Sequence, residues 1–478
     1  MHPKMLLVFC DGTGNDSNLT DGITAPGGGL GGGGLMRPFA TNVLRLSRAV
    51  KNTTSDGRLQ IVFYQSGVGT EADFGENAVN HTLGIQAMGA AVVYKIRDAY
   101  AFIAQNFNEG DEICIFGFSR GAYTARKLSG FIDKIGLLEI ENLGYFFEIW
   151  RQLVDGEKPN IPRGTRKTNI KCVGVWDTVG STFNAINTLR IKDTNLPASI
   201  DVALHALSLQ ENRAKLLPTL WTVPLLGLAS RGPNSKQLWF PGAHSDVGGG
   251  YERHELADIA LFWMAGEISS FINIDLDFLR QSGQKRPEPW ATSQPHNAYE
   301  NLKRAEKWPM IEKTRLESGQ IARDAQFHRS VLAAPTKLDI PKYMITLNTL
   351  KGKFGSNWEP DCPDLNLFEE HCIEEWGKAH IGDQYTCQFQ AEAYSNFIPE
   401  NAIKGGVENN GSVLYVARAP YAVHPGKASS KSGSIPWGYA EIYMKRGYEI
   451  LTGTTPLKWV KVIGRFDMAQ LKGAIPIR

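Results

Sequence analysis

No stretch of the chain approaches the ~20 consecutive apolar residues that crossing a bilayer requires, so no membrane-spanning helix is expected. The first apolar run, Met5 to Cys10, is too short for a secretion signal and passes directly into strand-like sequence. An excess of one charge is also missing: 51 basic against 49 acidic residues leave +2 over 478 residues. Neither a nucleic-acid-binding stripe nor a polybasic membrane tether is expected from that balance. Six cysteines are too few for a disulfide framework. Cys10, Cys114 and Cys172 sit inside apolar runs, where a thiol behaves as a small hydrophobe, and this usage points to a reducing, cytoplasmic setting. Cys362, Cys372 and Cys387, with His371 nearby, match no compact zinc-ligand spacing, and no metal is assigned. Low complexity is confined to Gly27–Gly34, inside a Gly-rich loop over 22–38. The Gly-Lys-Ser/Thr of a phosphate cradle is absent there, which leaves a flexible surface loop.

What the chain does have is ordinary globular composition, 42% hydrophobic and 21% charged, in a length that allows two or three domains. Short apolar runs alternate with longer helical stretches. The runs are Leu6–Cys10, Ile61–Gln65, Glu112–Phe118, Lys171–Trp176 and Gln237–Phe240, and the spacing predicts a long helix over Asn77–Phe107. Strand, helix, strand in repetition means crossover units. An α/β fold is expected, its mainly parallel sheet carrying helices on both faces, over residues 1–340. Beyond a connecting segment, 341–390, the helical periodicity fades. Residues 391–478 read as a small β-rich domain with strand-like pieces at Ser412–Val416, Glu441–Met444 and Val460–Ile463.

The sharpest chemical signal is Gly117-Phe118-Ser119-Arg120-Gly121, between a strand and a helix. A nucleophilic Ser on such an elbow exposes its Oγ, and small neighbours let adjacent backbone pass. The helix N-terminus favours developing negative charge, and the Arg120 N–H is a candidate oxyanion donor. The other candidates are Gly12 and Thr13, in the loop after the first strand. A base and an orienting acid should follow in the order acid, then His. Asp177 ends one strand run and His244 follows another, at the edge where sheet active sites lie. Asp246 remains an alternative acid, or a brace for the glycine turn after it. His205 and His254 lie in helix-like sequence and read as packing or surface residues. Three aspartates at strand ends, Asp11, Asp177 and Asp246, also allow a metal phosphoesterase, but that reading leaves Ser119 and His244 without a role.

Four segments, Phe9–Asn15 (FCDGTGN), Gly117–Arg126 (GFSRGAYTAR), Val173–Gly180 (VGVWDTVG) and Phe240–Tyr251 (FPGAHSDVGGGY), together resemble the α/β-hydrolase family that includes the type VI secretion phospholipase effectors. The resemblance implies a Ser-Asp-His lipid esterase that needs no cofactor and maps onto Ser119, Asp177 and His244. The tail, from Asn401–Gly406 through Gly411–Ala419 and Pro425–Lys427 to Gly447–Leu451, is similar to the DM-nine repeat, a mannose-binding lectin unit. That similarity implies sugar contacts at Glu408 and Lys427, although the family usually has Asp where Glu408 stands.

The segment 180–235 is far longer than an ordinary strand–helix connection and carries the apolar, Pro-interrupted stretch Leu216–Leu228. It reads either as a lid over the hydrolase edge or as a helix pair packed into the core. The expectation is therefore a serine carboxylic ester hydrolase of the lipase or phospholipase A kind. Its partners would be a lipid or other ester, a transient membrane surface, and a glycan through the tail, with no nucleic acid. The alternative is a mannose-binding protein whose hydrolase domain is a non-catalytic scaffold.

Overall fold

The computed structural model describes residues 3–12, 39–67, 81–179, 195–214, 216–222, 234–284, 288–300, 311–339 and 345–384. It also describes the strand segments 388–391, 404–407, 413–418, 425–428, 433–437, 440–444 and 449–452. The chain divides into two compact units, Met1–Trp376 and Gly377–Arg478.

The first unit is built on a parallel sheet of seven strands. These are β1 (Met5–Cys10), β2 (Gln60–Gln65), β3 (Glu112–Phe118), β4 (Ile170–Trp176), β5 (Ile200–Ser208), β6 (Asn234–Phe240) and β7 (Gln326–Phe327), in the order β2-β1-β3-β4-β5-β6-β7. Every neighbouring pair is parallel. β1 is buried along its whole length, and its alternate residues feed two different cores, as the two-residue side-chain period requires. Leu6, Val8 and Cys10 join the core under the helices α2 (His81–Asn106), α3 (Arg120–Ile135) and α4 (Phe146–Asp155). Met5, Leu7 and Phe9 join the opposite core with α1 (Asn42–Ala49) and α6 (Glu255–Ile268). This is the doubly wound, α/β-hydrolase-like arrangement, and it explains why β1, β3 and β4 carry apolar runs without alternation. The order reverses between β1 and β3, the switch point at which doubly wound sheets place their sites, at the strand carboxyl ends.

The described part of the segment 180–235 contains a strand of the sheet. Its centre is β5, hydrogen-bonded between β4 and β6. His205 lies on that strand, fully buried, and not on a helix; its Nε2 accepts the Thr178 N–H at 3.2 Å. A polar residue inside an Ala- and Leu-rich run hides the strand pattern, because helix formers dominate the local composition. Further on, Trp221 packs into the α3-side core with Arg126 4.7 Å over its ring. Residues 180–194 and 223–233, and the Gly-rich loop 22–38, lie outside the described residues. His254 stands at the N-terminal boundary of α6, and its Nδ1 meets Asp258 at 3.0 Å.

The second unit is an antiparallel sheet. Its strands are β8 (Gln388–Ala391), β9 (Lys404–Val407), β10 (Val413–Arg418), β11 (Pro425–Ala428), β12 (Gly433–Trp437), β13 (Ala440–Met444) and β14 (Glu449–Thr452). Their order is β13-β12-β11-β10-β14-β8, with β9 also paired to β10. The expected strand at Val460–Ile463 lies outside the described residues. Among the described residues, no helix is long and apolar enough to cross a membrane.

Candidate active site

β3 delivers Ser119 to the carboxyl edge of the sheet, where the chain reverses directly into α3. Ser119 takes φ 57 and ψ −121, a conformation that side chains other than glycine rarely adopt. The neighbouring glycines make the turn feasible. A Cβ on Gly121 would land on the Cys10 and Asp11 carbonyl oxygens, and one on Gly117 would meet the Gly121 oxygen at 2.5 Å. Small residues are therefore required where the end of β1 touches the start of α3. The turn is tied to its neighbour by the Ser119 N–H, which donates to the Trp176 carbonyl at 3.0 Å.

β4 ends in Asp177, also at positive φ (43°) and fully buried. After β6, Gly242 turns the chain so that His244 opens the short helix α5 (His244–Gly248). His244 Nε2 lies 2.8 Å from Ser119 Oγ, and its Nδ1 lies 2.6 Å from Asp177 Oδ2. The Phe118 ring covers the imidazole at 4.7 Å. Ser119 and His244 retain only 9% and 6% exposure, so the hydrogen bonds between them are sheltered from competing water.

Asp177 carries a denser set of partners than an orienting carboxylate needs. Oδ1 accepts the Ser208 N–H at 2.9 Å, and Oδ2 accepts the Ser208 hydroxyl at 3.0 Å. Arg315 forks onto both oxygens at 2.6 and 2.8 Å. Burial alone would raise this carboxyl, but the Arg315 guanidinium and the His244 bond hold it well below the usual carboxylate range. Beside it, Glu211 is buried and pairs with Arg213 at 2.7 Å, while its other oxygen accepts the His244 main-chain N–H at 3.1 Å. Burial would raise Glu211 too; Arg213 keeps it low.

The remaining sequence candidates have other partners. Asp246 takes the Ala243 N–H and the His296 N–H, each at 2.8 Å, and meets His296 Nδ1 at 2.5 Å. It braces the turn that carries His244, and Asp177 is the carboxylate at His244 Nδ1. Gly12 donates its N–H to Asp11 Oδ1 at 2.6 Å, so that donor is engaged by the carboxylate. Thr13 and Glu408 lie outside the described residues. Arg120 is the first residue of α3, and Lys427 lies on β11 opposite Val416 and Ser434. Asp11, Asp177 and Asp246 are held by three different partner sets. Cys362 and Cys372 are free thiols, and Cys387 lies outside the described residues.

Sequence reasoning missed Arg315, Glu211 and Arg213. The Glu211-Asn212-Arg213 stretch follows β5, so recognising that strand would have brought it to the same edge. Nothing local marks Arg315.

Comparison with known proteins adds a lineage. Residues 4–267 match the family model described as "T6SS, Phospholipase effector Tle1-like, catalytic domain". A 210-residue stretch is 29% identical to "Uncharacterized protein YEL023C" of Saccharomyces cerevisiae, covering 39% of this chain and 30% of that protein. The chain thus matches less than a third of the length of that curated relative. An uncharacterized protein of known crystal structure from Pseudomonas aeruginosa aligns over 87% of this chain and 70% of its own, with 16% identity and a TM-score of 0.36.

Proposed function

The chain belongs to the Tle1-like phospholipase effector family, and from that premise we propose that it is a serine hydrolase of carboxylic esters in lipids, acting through Ser119, His244 and Asp177. The observation that carries the reading is the continuous relay from Ser119 Oγ to His244 Nε2 and from His244 Nδ1 to Asp177 Oδ2, at 2.8 and 2.6 Å. In this mechanism His244 Nε2 takes the Ser119 proton as Oγ attacks the acyl carbonyl carbon, and Asp177 holds the imidazole in the tautomer that leaves Nε2 free to accept. The tetrahedral oxyanion is stabilised by main-chain N–H groups at the start of α3, with Arg120 the first of them. A donor from the β1 end requires the Gly12 N–H to leave the Asp11 carboxylate, or the Thr13 N–H to take its place. His244 then protonates the leaving alcohol, and water, activated by the same base, releases the fatty acid from Ser119.

The test is product analysis by mass spectrometry after incubation with mixed phospholipid and neutral-lipid vesicles. Wild type is expected to release free fatty acid and a lyso-lipid, and Ser119→Ala should lower the rate by at least ~10⁴-fold. Equal activity of the two proteins would remove Ser119 from the mechanism. For a glycan-binding tail, Glu408 lies outside the described residues and Lys427 is placed on β11, and no observation favours that second reading.

A further inference from the structure

We propose that Arg315 is a positioning residue of this site: it locks the Asp177 carboxylate in the plane that serves His244 and offsets the charge of that carboxylate. The inference rests on the serine-hydrolase reading above and extends it beyond the family's matched region, which ends at residue 267.

The geometry supplies the first argument. Arg315 is 1% exposed, and its two terminal nitrogens bond the two Asp177 oxygens in parallel at 2.6 and 2.8 Å. The same nitrogens donate to the Ser208 carbonyl at 2.7 Å and the Leu216 carbonyl at 2.8 Å, so the fork is itself held by main chain. With Ser208 bonding both oxygens as well, the carboxylate cannot rotate, and its remaining direction is the 2.6 Å contact to His244. A bidentate guanidinium fixes a plane, which a lysine ammonium does not.

Charge supplies the second argument. The groups facing His244 come from several elements: Asp177 from the end of β4, Glu211 and Arg213 from beyond β5, Arg315 behind Asp177, and Asp246 with His296 on the following turn. His205 lies beside Asp177 and is pushed down to about 3, chiefly by burial, so it stays neutral. Asp177 with Arg315 and Glu211 with Arg213 cancel in pairs. The imidazolium formed when Ser119 gives up its proton then faces a carboxylate whose charge Arg315 shares, whereas an orienting Asp without a cation behind it would attract that proton more strongly. Stability is a poor explanation for the clamp. A buried ion pair gains little over apolar packing, and Arg315 Nε finds no hydrogen-bond partner among the described residues.

The experiment follows the rate of covalent labelling of the full chain by a fluorophosphonate between pH 4 and 9. In that reaction Ser119 Oγ bonds to phosphorus, fluoride leaves and the Ser119 proton passes to His244. Ser119→Ala should not label; labelling at the wild-type rate would overturn the hydrolase reading itself. Given a silent Ser119→Ala, Arg315→Gln is expected to move the acidic limb of the profile up by about 1 pH unit and to lower the plateau by ~10–100-fold. A limb that coincides with wild type, whatever the plateau, overturns the charge role. Arg315→Lys keeps the charge and loses the fork, so its limb should coincide with wild type while its plateau falls by ~10-fold. A wild-type plateau in Arg315→Lys overturns the positioning role, and this variant decides that role if Arg315→Gln loses its near-ultraviolet circular dichroism.

Discussion

The ends of β1 and β4 each carry one buried aspartate to the same edge of the sheet, and the two are treated in opposite ways. Asp11 is 2% exposed and among the described residues accepts only neutral donors: the Gly12 N–H at 2.6 Å, the Thr41 hydroxyl at 2.9 Å and the Tyr64 hydroxyl at 2.5 Å. Burial outweighs those three bonds and pushes the Asp11 carboxyl up to about 6. Asp177 is buried more completely, yet the fork of Arg315 holds it ionised far below the ordinary range. What separates these two carboxyls among the described residues is the cation: both accept several hydrogen bonds, and only Asp177 has a guanidinium on it. The pocket with the cation holds the orienting acid of the proposed mechanism. The Asp11 site, where the described residues supply no cation, holds a group that changes charge in mildly acidic solution and that accepts the Gly12 N–H.

Breaking the β4 pocket should have the largest effect. Asp177→Asn keeps the shape but presents Arg315 with a neutral amide and His244 with an amide able to impose the wrong tautomer. The expected loss in kcat is ~10⁴-fold, measured on a soluble ester with the fold verified by circular dichroism. A loss below ~10-fold would make the two pockets functionally alike.

Breaking the β1 pocket should act on stability instead. A carboxyl raised from 3.8 to about 6 by folding stabilises the fold fully below pH ~4, and that contribution is lost as pH rises through 6. The wild type should therefore lose on the order of 3 kcal/mol from this group between pH 4 and 7. Asp11→Asn cannot ionise and should remove that part of the pH dependence, read as a smaller change in Tm between the two pH values. If the variant and wild type lose stability in parallel, Asp11 is ionised throughout and the contrast with Asp177 collapses.

Legibility from sequence follows the same physics. β1, β3 and β4 were readable because strands covered on both faces consist of unbroken apolar runs, and Ser119 and Asp177 were readable because they end such runs. His244 was readable because the Gly242 turn that carries it follows the apolar end of β6. The long helix expected over Asn77–Phe107 is found as His81–Asn106. β5 was hidden by His205 and its alanines, and with it the position of Glu211 and Arg213. Arg315 was hidden for a different reason: a buried arginine has no local sequence pattern, because what fixes it is a carboxylate 138 residues away. The order acid before His favours Asp177 over the alternative Asp246, which follows His244 in the chain, and the carboxylate at His244 Nδ1 is that of Asp177.

The third carboxylate on this edge gives the smallest expected effect and sharpens the comparison most. Among the described residues Asp246 has neither a permanent cation like Asp177 nor hydroxyl partners like Asp11; it faces a titratable one, His296, at 2.5 Å. That bond, ahead of the burial that opposes it, raises His296 above its ordinary value. A raised histidine contributes stability that is complete below about pH 6.5 and fades as pH rises through its value in the fold. Asp246→Asn should therefore lower Tm more at pH 6 than at pH 8.5. The Ala243 N–H still finds an acceptor in the asparagine Oδ1, so kcat should remain within ~10-fold of wild type. A loss approaching that of Asp177→Asn would move the orienting role from β4 to the turn that carries His244.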